Sequence, residues 1–86
     1  MSEKSKKLSL LNAIDNNREG IYSFYHLRCL CINDVHFTFT EPTLITIQIY
    51  SDNLFFFLSN TENTFLKCFD INIEKINDLF LIIEDE

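Results

Sequence analysis

Two runs in the middle of the chain, Val35 to Thr40 (VHFTFT) and Thr43 to Tyr50 (TLITIQIY), alternate side chains of different polarity with a period of two. That period matches the pleat of a β-strand, which sends successive side chains to opposite faces; it does not place them on one stripe of a helix. Ile45, Ile47 and Ile49 should therefore share one face, with Thr46, Gln48 and Tyr50 on the other. Ahead of the first run stand Asn33-Asp34 and, before them, Ile21 to Ile32, rich in Tyr, Phe, Leu and Cys. This reads as a β-hairpin with a two-residue turn. Such a turn fixes the register, setting Ile32 opposite Val35, Cys31 opposite His36, Leu30 opposite Phe37 and Cys29 opposite Thr38.

The rest of the chain is read around this hairpin. Glu41-Pro42 is expected to separate its second strand from a third over Thr43–Tyr50, and Ser51-Asp52-Asn53 to turn into Leu54–Leu58 (LFFFL). That run lacks alternation, so it is a strand either covered on both faces or exposing apolar surface. After the polar turn SNTENT, TFLKCFDI reads as a fifth strand with Phe65 and Phe69 on one side and Leu66 and Cys68 on the other. Leu8, Leu11 and Ile14, followed by Gly20, predict a helix over Lys4–Arg18. Ile73, Ile76, Leu79, Phe80 and Ile83 behind an Asn72 cap predict a C-terminal helix, with a strand across LFLII as the alternative. The expected fold class is α+β, a single domain over 1–86: an antiparallel meander of about five strands flanked by an N-terminal and a C-terminal helix. One domain follows from length, since 86 residues supply interior for a single core.

Composition narrows the function. Hydrophobic residues make up 47% and charged residues 23%, which is the globular class and not the disordered one. Apolar runs such as Leu54–Leu58 are far short of the roughly 20 residues that cross a bilayer, and Asn12 and Asp15 interrupt the apolar patch near the start before it reaches signal-peptide length. Neither a membrane nor secretion is expected, and three cysteines fit a reducing cytoplasm better than a disulfide framework. Gly, Pro, Ala and Val occur once each among abundant Ile and Asn, as an AT-rich coding sequence of a low-GC bacterium or its phage would produce. A single glycine also excludes a glycine-rich phosphate loop. Residues 1–28 hold five basic and three acidic groups, residues 29–86 two basic and ten acidic, and no Lys or Arg lies between Cys29 and Leu66. An acidic surface of this kind repels nucleic acid and attracts basic protein.

His26, Cys29, Cys31 and His36 are zinc-ligand types, yet C-x-C in a strand is not the C-x₂₋₄-C spacing that turns both thiolates inward. The hairpin register divides them, leaving Cys29, Cys31 and His36 on one face and sending His26 and Arg28 to the buried face with Leu30, Ile32, Val35, Phe37 and Phe39. A fourth ligand would have to come from elsewhere, such as Cys68, so the expectation is small apolar fillers and neither a metal nor another cofactor. No serine sits in a nucleophile elbow, and Asp70, Glu74 and Asp78, four apart, read as a solvated helix face; catalysis is not expected. Tyr22, Phe24 and Tyr25 beside Arg28 lack the basic groove a nucleic-acid platform needs.

The expectation is a non-catalytic protein-binding module, a stoichiometric inhibitor of a basic partner in the manner of toxin-immunity or phage counter-defence (anti-CRISPR-like) proteins. Asp34, Glu41, Asp52 and Glu62 in or near turns would supply charge, and Tyr50, Phe55 and Phe57 the aromatic anchors. The alternative is a homodimer or structural subunit using LFFFL as an edge strand or exposed face, and a third option is a metal or thiol sensor.

Overall fold

The computed structural model describes residues 5–12, 19–60, 62 and 64–84. They form six strands: β1 Ser5–Ser9, β2 Gly20–Ile32, β3 Val35–Tyr50, β4 Asn53–Asn60, β5 Phe65–Asn72 and β6 Leu79–Glu84, with a short 3₁₀ turn at Ile73–Lys75. The sheet is antiparallel throughout, in the order β1-β6-β2-β3-β4-β5.

This corrects the expected α+β class. The chain is a nearly all-β antiparallel sheet, and neither flanking helix forms among the described residues. Where an N-terminal helix was expected, Ser5–Ser9 pairs with β6 and only Leu11 and Asn12 are helical; residues 13–18 of that segment lie outside the described residues. The C-terminal segment takes its alternative form, a strand lying against both β2 and β1. Asn72 does cap a helical turn, its Oδ1 accepting from Glu74 N at 2.9 Å, but that turn is three residues long. Helical and strand periods are hard to separate in short apolar runs, and here an open sheet edge decided the matter. Asp70, Glu74 and Asp78 accordingly fall in β5, the 3₁₀ turn and the residue before β6, not on one helix face.

Glu41-Pro42 does not separate two strands, because β3 runs through it for 16 residues. The bend falls instead on β2, whose register against β3 shifts between Phe24 and Leu27 and again between Leu27 and Cys29. His26 sits in this irregular stretch with φ of 61°. Each bulge adds residues to one strand and increases local twist. The long β2–β3 hairpin is thereby divided into two halves. Its turn half pairs through β2 with β6, which carries β1 on its far side, and its open half pairs through β3 with β4, which carries β5.

Both halves close on one core: Leu27, Leu30, Ile32, Leu79 and Leu81 from the first, Ile45, Ile47, Ile49, Leu54, Phe56 and Leu58 from the second. Phe37 of the turn half meets Phe69 of β5 at 6.0 Å, and Phe69 stacks on Phe56 at 4.8 Å. The shifts also correct two orientations. Leu27 and not His26 is buried, and Arg28 lies half-buried at the rim. A further shift between Leu58 and Ser59 breaks the expected pairing of faces on β5, leaving Phe65 exposed while Phe69 turns inward.

Arg28 ties the bend together. Its Nε and Nη2 donate to Glu84 at 2.9 and 3.4 Å, and Nη1 donates to the Thr40 carbonyl at 2.9 Å, joining β2, β6 and β3. The hydrogen bond from Arg28 holds the Glu84 carboxyl below its usual range. A depressed carboxylate stabilises the fold above its unfolded value of about 4.3, and that contribution disappears as pH falls through the lower folded value. The urea midpoint of the wild type should therefore exceed that of Arg28→Met at neutral pH, and the gap should narrow as pH falls below about 4.3 and through the lower folded value, leaving the part due to the Thr40 carbonyl.

Candidate functional site

The alternation that buries Ile45, Ile47 and Ile49 turns Thr46, Gln48 and Tyr50 outward, and on β4 burial of Leu54, Phe56 and Leu58 leaves Phe55 and Phe57 on the same outer face. Register sets Gln48 opposite Phe55 and Thr46 opposite Phe57. Gln48, Tyr50, Phe55 and Phe57 line a shallow depression of about 290 Å³. Tyr50 is 63% exposed and Phe57 38%. Ile21, opposite Gln48 on β2 and 66% exposed, extends the apolar surface. Sequence reasoning missed Ile21; pairing β2 through its bulges would have been needed to find it. The strand LFFFL is not an edge, since it pairs with β3 on one side and β5 on the other. It does expose apolar surface on its outer face.

Among the described residues, the charged groups placed beside this depression are acidic. Asp70 lies opposite Phe55 across the β4–β5 ladder, and Asp52 occupies the turn next to Tyr50. β3 and β4 contain no Lys or Arg.

The four acidic residues singled out from the sequence do not form one cluster. The turns holding Asp34 and Asp52 are both tied to the 3₁₀ segment: Ile73 N donates to the Asp52 carbonyl at 2.7 Å, and Asn33 Nδ2 to the Lys75 carbonyl at 2.8 Å. Glu41 lies at the bend, beside Asn60 in a groove of about 210 Å³ bordered also by Thr38, Phe39, Thr40, Thr43 and Leu66. Glu62 follows in the β4–β5 turn, its N–H donating to Asn60 Oδ1 at 2.9 Å. Asp34 and Asp52 thus flank one end of the molecule, and Glu41 and Glu62 the region of the bend.

Asn33 is a second residue whose role sequence reasoning did not reach. Beyond making the turn, its Oδ1 accepts from Asn77 N at 2.6 Å and Asp78 N at 3.1 Å, and its own N–H donates to the Asp78 carbonyl at 2.9 Å.

Cys29, Cys31 and His36 do come together on the outer face of the other half. Cys29 Sγ lies 3.9 Å from His36 Nδ1, and Cys31 Sγ 3.7 Å from Nε2. The two sulfurs thus meet opposite nitrogens of one ring and do not converge with it on a common point. Among the described residues, no group of three or more His, Cys, Asp or Glu side chains is arranged to hold a metal ion. Cys68 is exposed on the outer face of β5, opposite Phe57, in the other half of the sheet.

Phe80, opposite Cys31 on β6, meets the His36 ring edge-on at 6.2 Å and carries Lys7 Nζ over its face at 4.2 Å. Cys31 is completely buried, and burial pushes its thiol up from the ordinary value. Alkylation of the native protein should be fastest at Cys68 and slower at half-buried Cys29. It should be slowest at Cys31, by about 100-fold or more relative to Cys68, as mass spectrometry of timed iodoacetamide reactions would register.

No helix among the described residues is long and apolar enough to cross a membrane. Comparisons with protein-family models, curated proteins and solved structures found no match to this chain.

Proposed function

We propose that the chain is a non-catalytic protein-binding module that engages a basic protein partner through the aromatic depression formed by Tyr50, Phe55 and Phe57. It would act as a stoichiometric inhibitor, of the kind found among toxin-immunity and phage counter-defence proteins, in the cytoplasm. The observation that supports this reading is apolar surface left outside a filled core with acid beside it: Tyr50 and Phe57 are exposed, and among the described residues Asp52 and Asp70 lie next to them. Such a surface suits a partner presenting an apolar side chain within a ring of Lys and Arg, with anchor residues in the middle and charge steering from the rim.

Tagged protein would be recovered from its native cells with bound partner, the partner identified, and affinity measured for variants. Tyr50→Ala and Phe57→Ala are each expected to weaken binding about tenfold or more. Charge reversal taken in pairs, Asp34 with Asp52 and Glu41 with Glu62, identifies which end lies nearer the partner. Unchanged affinity in both aromatic variants and in all four reversals would refute the proposal.

A further inference from the structure

The first half of β3 is open along one edge. β4 pairs with β3 only from Thr43 onward, and among the described residues no strand pairs with Val35–Pro42 on the side away from β2. Asn33 and Asp34 both have positive φ, 50° and 67°, the two-residue turn in which the flanking pair, Ile32 and Val35, exchanges backbone hydrogen bonds. Bonding alternates along the strand, so Val35 and Phe37 direct their N–H and C=O toward β2. His36 and Thr38 direct theirs outward.

Of the outer strands, β1 has Lys6 and Lys7, and β5 has Lys67, Asp70 and a register shift near its start, while Gly20–Tyr25 of β2, also unpaired among the described residues on the side away from β3, runs into the irregular stretch at His26. From Val35 to Thr40 there is no carboxylate, lysine or arginine. Val35 is 55% exposed, His36, Thr38 and Thr40 are exposed, and the groove beside Thr38–Glu41 leaves that end of the edge open.

We infer that this edge pairs with the same edge of a second copy of the chain, antiparallel about a two-fold axis through Phe37, making one continuous sheet across two molecules. In this register His36 of each copy faces Thr38 of the other, and the two pairs use all the outward backbone groups of these residues in four hydrogen bonds. Phe37, whose ring is already covered on one side by Phe69 and Lys67, faces its own counterpart and Val35 faces Phe39, so apolar side chains of the strand meet apolar side chains. Asp34 falls opposite Thr40 and Glu41 opposite Asn33, so no like charges oppose each other between the two paired strands. The interface is separate from the aromatic depression, and its presence or absence is independent of the proposal about a basic partner.

The test is sedimentation or light scattering of the full chain up to about 100 μM, a range that registers micromolar self-association. The wild type is expected to reach twice the monomer mass. Thr38→Pro removes an N–H that points away from β2, a substitution that edge strands accommodate, and should weaken dimerisation at least tenfold while retaining the sheet signature in circular dichroism. Thr38→Lys, which keeps the backbone N–H, serves as the deciding variant should the proline variant fail to fold, and is likewise expected to be monomeric. Amide exchange at His36 and Thr38 should slow with increasing protein concentration in the wild type. A wild type that stays monomeric throughout overturns the inference, as does a dimer that persists in the folded Thr38 variant.

Discussion

Phe56→Ala is expected to remove a large part of the stability of this protein. The ring is fully buried at the centre of β4 and stacks on Phe69, which in turn meets Phe37 from the other half of the sheet. Truncation loses transfer free energy and leaves a cavity that a strand paired on both sides closes poorly, a cost of about 3–5 kcal/mol. A domain of this length has roughly 4–13 kcal/mol in all. Urea unfolding followed by circular dichroism should show the midpoint falling by about a quarter or more, or no folded baseline at 25 °C. The adjacent residue is the control. Phe57 points to solvent-facing surface, so Phe57→Ala should lower stability by less than about 1 kcal/mol. If the two variants behaved alike, the assignment of faces on β4 would be wrong.

Asn33→Ala should have the second-largest effect, about 2–4 kcal/mol, although the side chain is exposed. Two causes add. Alanine in a left-handed conformation costs about 1–2 kcal/mol, and removal of the amide leaves the Asn77 and Asp78 N–H groups and the Lys75 carbonyl without that partner. Asn33→Gly separates them, since glycine takes the positive φ without strain but supplies no side chain. It is expected to recover roughly the backbone part and leave the rest lost. A glycine variant as stable as the wild type would mean that the side-chain bonds contribute nothing. The same residue sets the hairpin register and anchors the segment leading into β6, so exchange should also quicken at the Leu79–Glu84 amides.

How much of this was legible varies by element. The Asn33-Asp34 turn gave the hairpin register residue by residue, from Ile32 opposite Val35 to Cys29 opposite Thr38, because a two-residue turn leaves the chain no other pairing. Alternation in TLITIQIY likewise identified Ile45, Ile47 and Ile49 as interior, and therefore Tyr50 as exterior. The bulges in β2 were not legible. Nothing in SFYHLRC states that Leu27 will turn inward and His26 outward, since a bulge is selected by how two halves of a sheet fold over one core. The same limit applies to Phe65 and Phe69, assigned to one face by counting and separated by a register shift.

The site divides along the same line. That Phe55 and Phe57 share a face with Tyr50 follows from pleat and turn, but the presence of Ile21 beside Gln48 required β2 to be aligned through its irregular stretch. The four acidic residues could be read from the sequence as turn charges; their separation into two regions depends on where the 3₁₀ segment anchors.

The termini mark the limit of local reading most clearly. Leu8, Leu11 and Ile14, and Ile73, Ile76, Leu79, Phe80 and Ile83, fit helical spacing, and the described residues among them nonetheless contribute to β1, β6 and the short connections. The sequence by itself determined the central hairpin, the inward face of β3 and the excess of acid, because pleat period, turn stereochemistry and charge are local properties. Tertiary structure alone decided that both termini become strands and that β2 bends at Leu27. An open β2 edge offers Leu79–Glu84 a row of backbone partners, and β6 then offers its own edge to Ser5–Ser9, whereas a lone amphipathic helix would have had to find a face to cover.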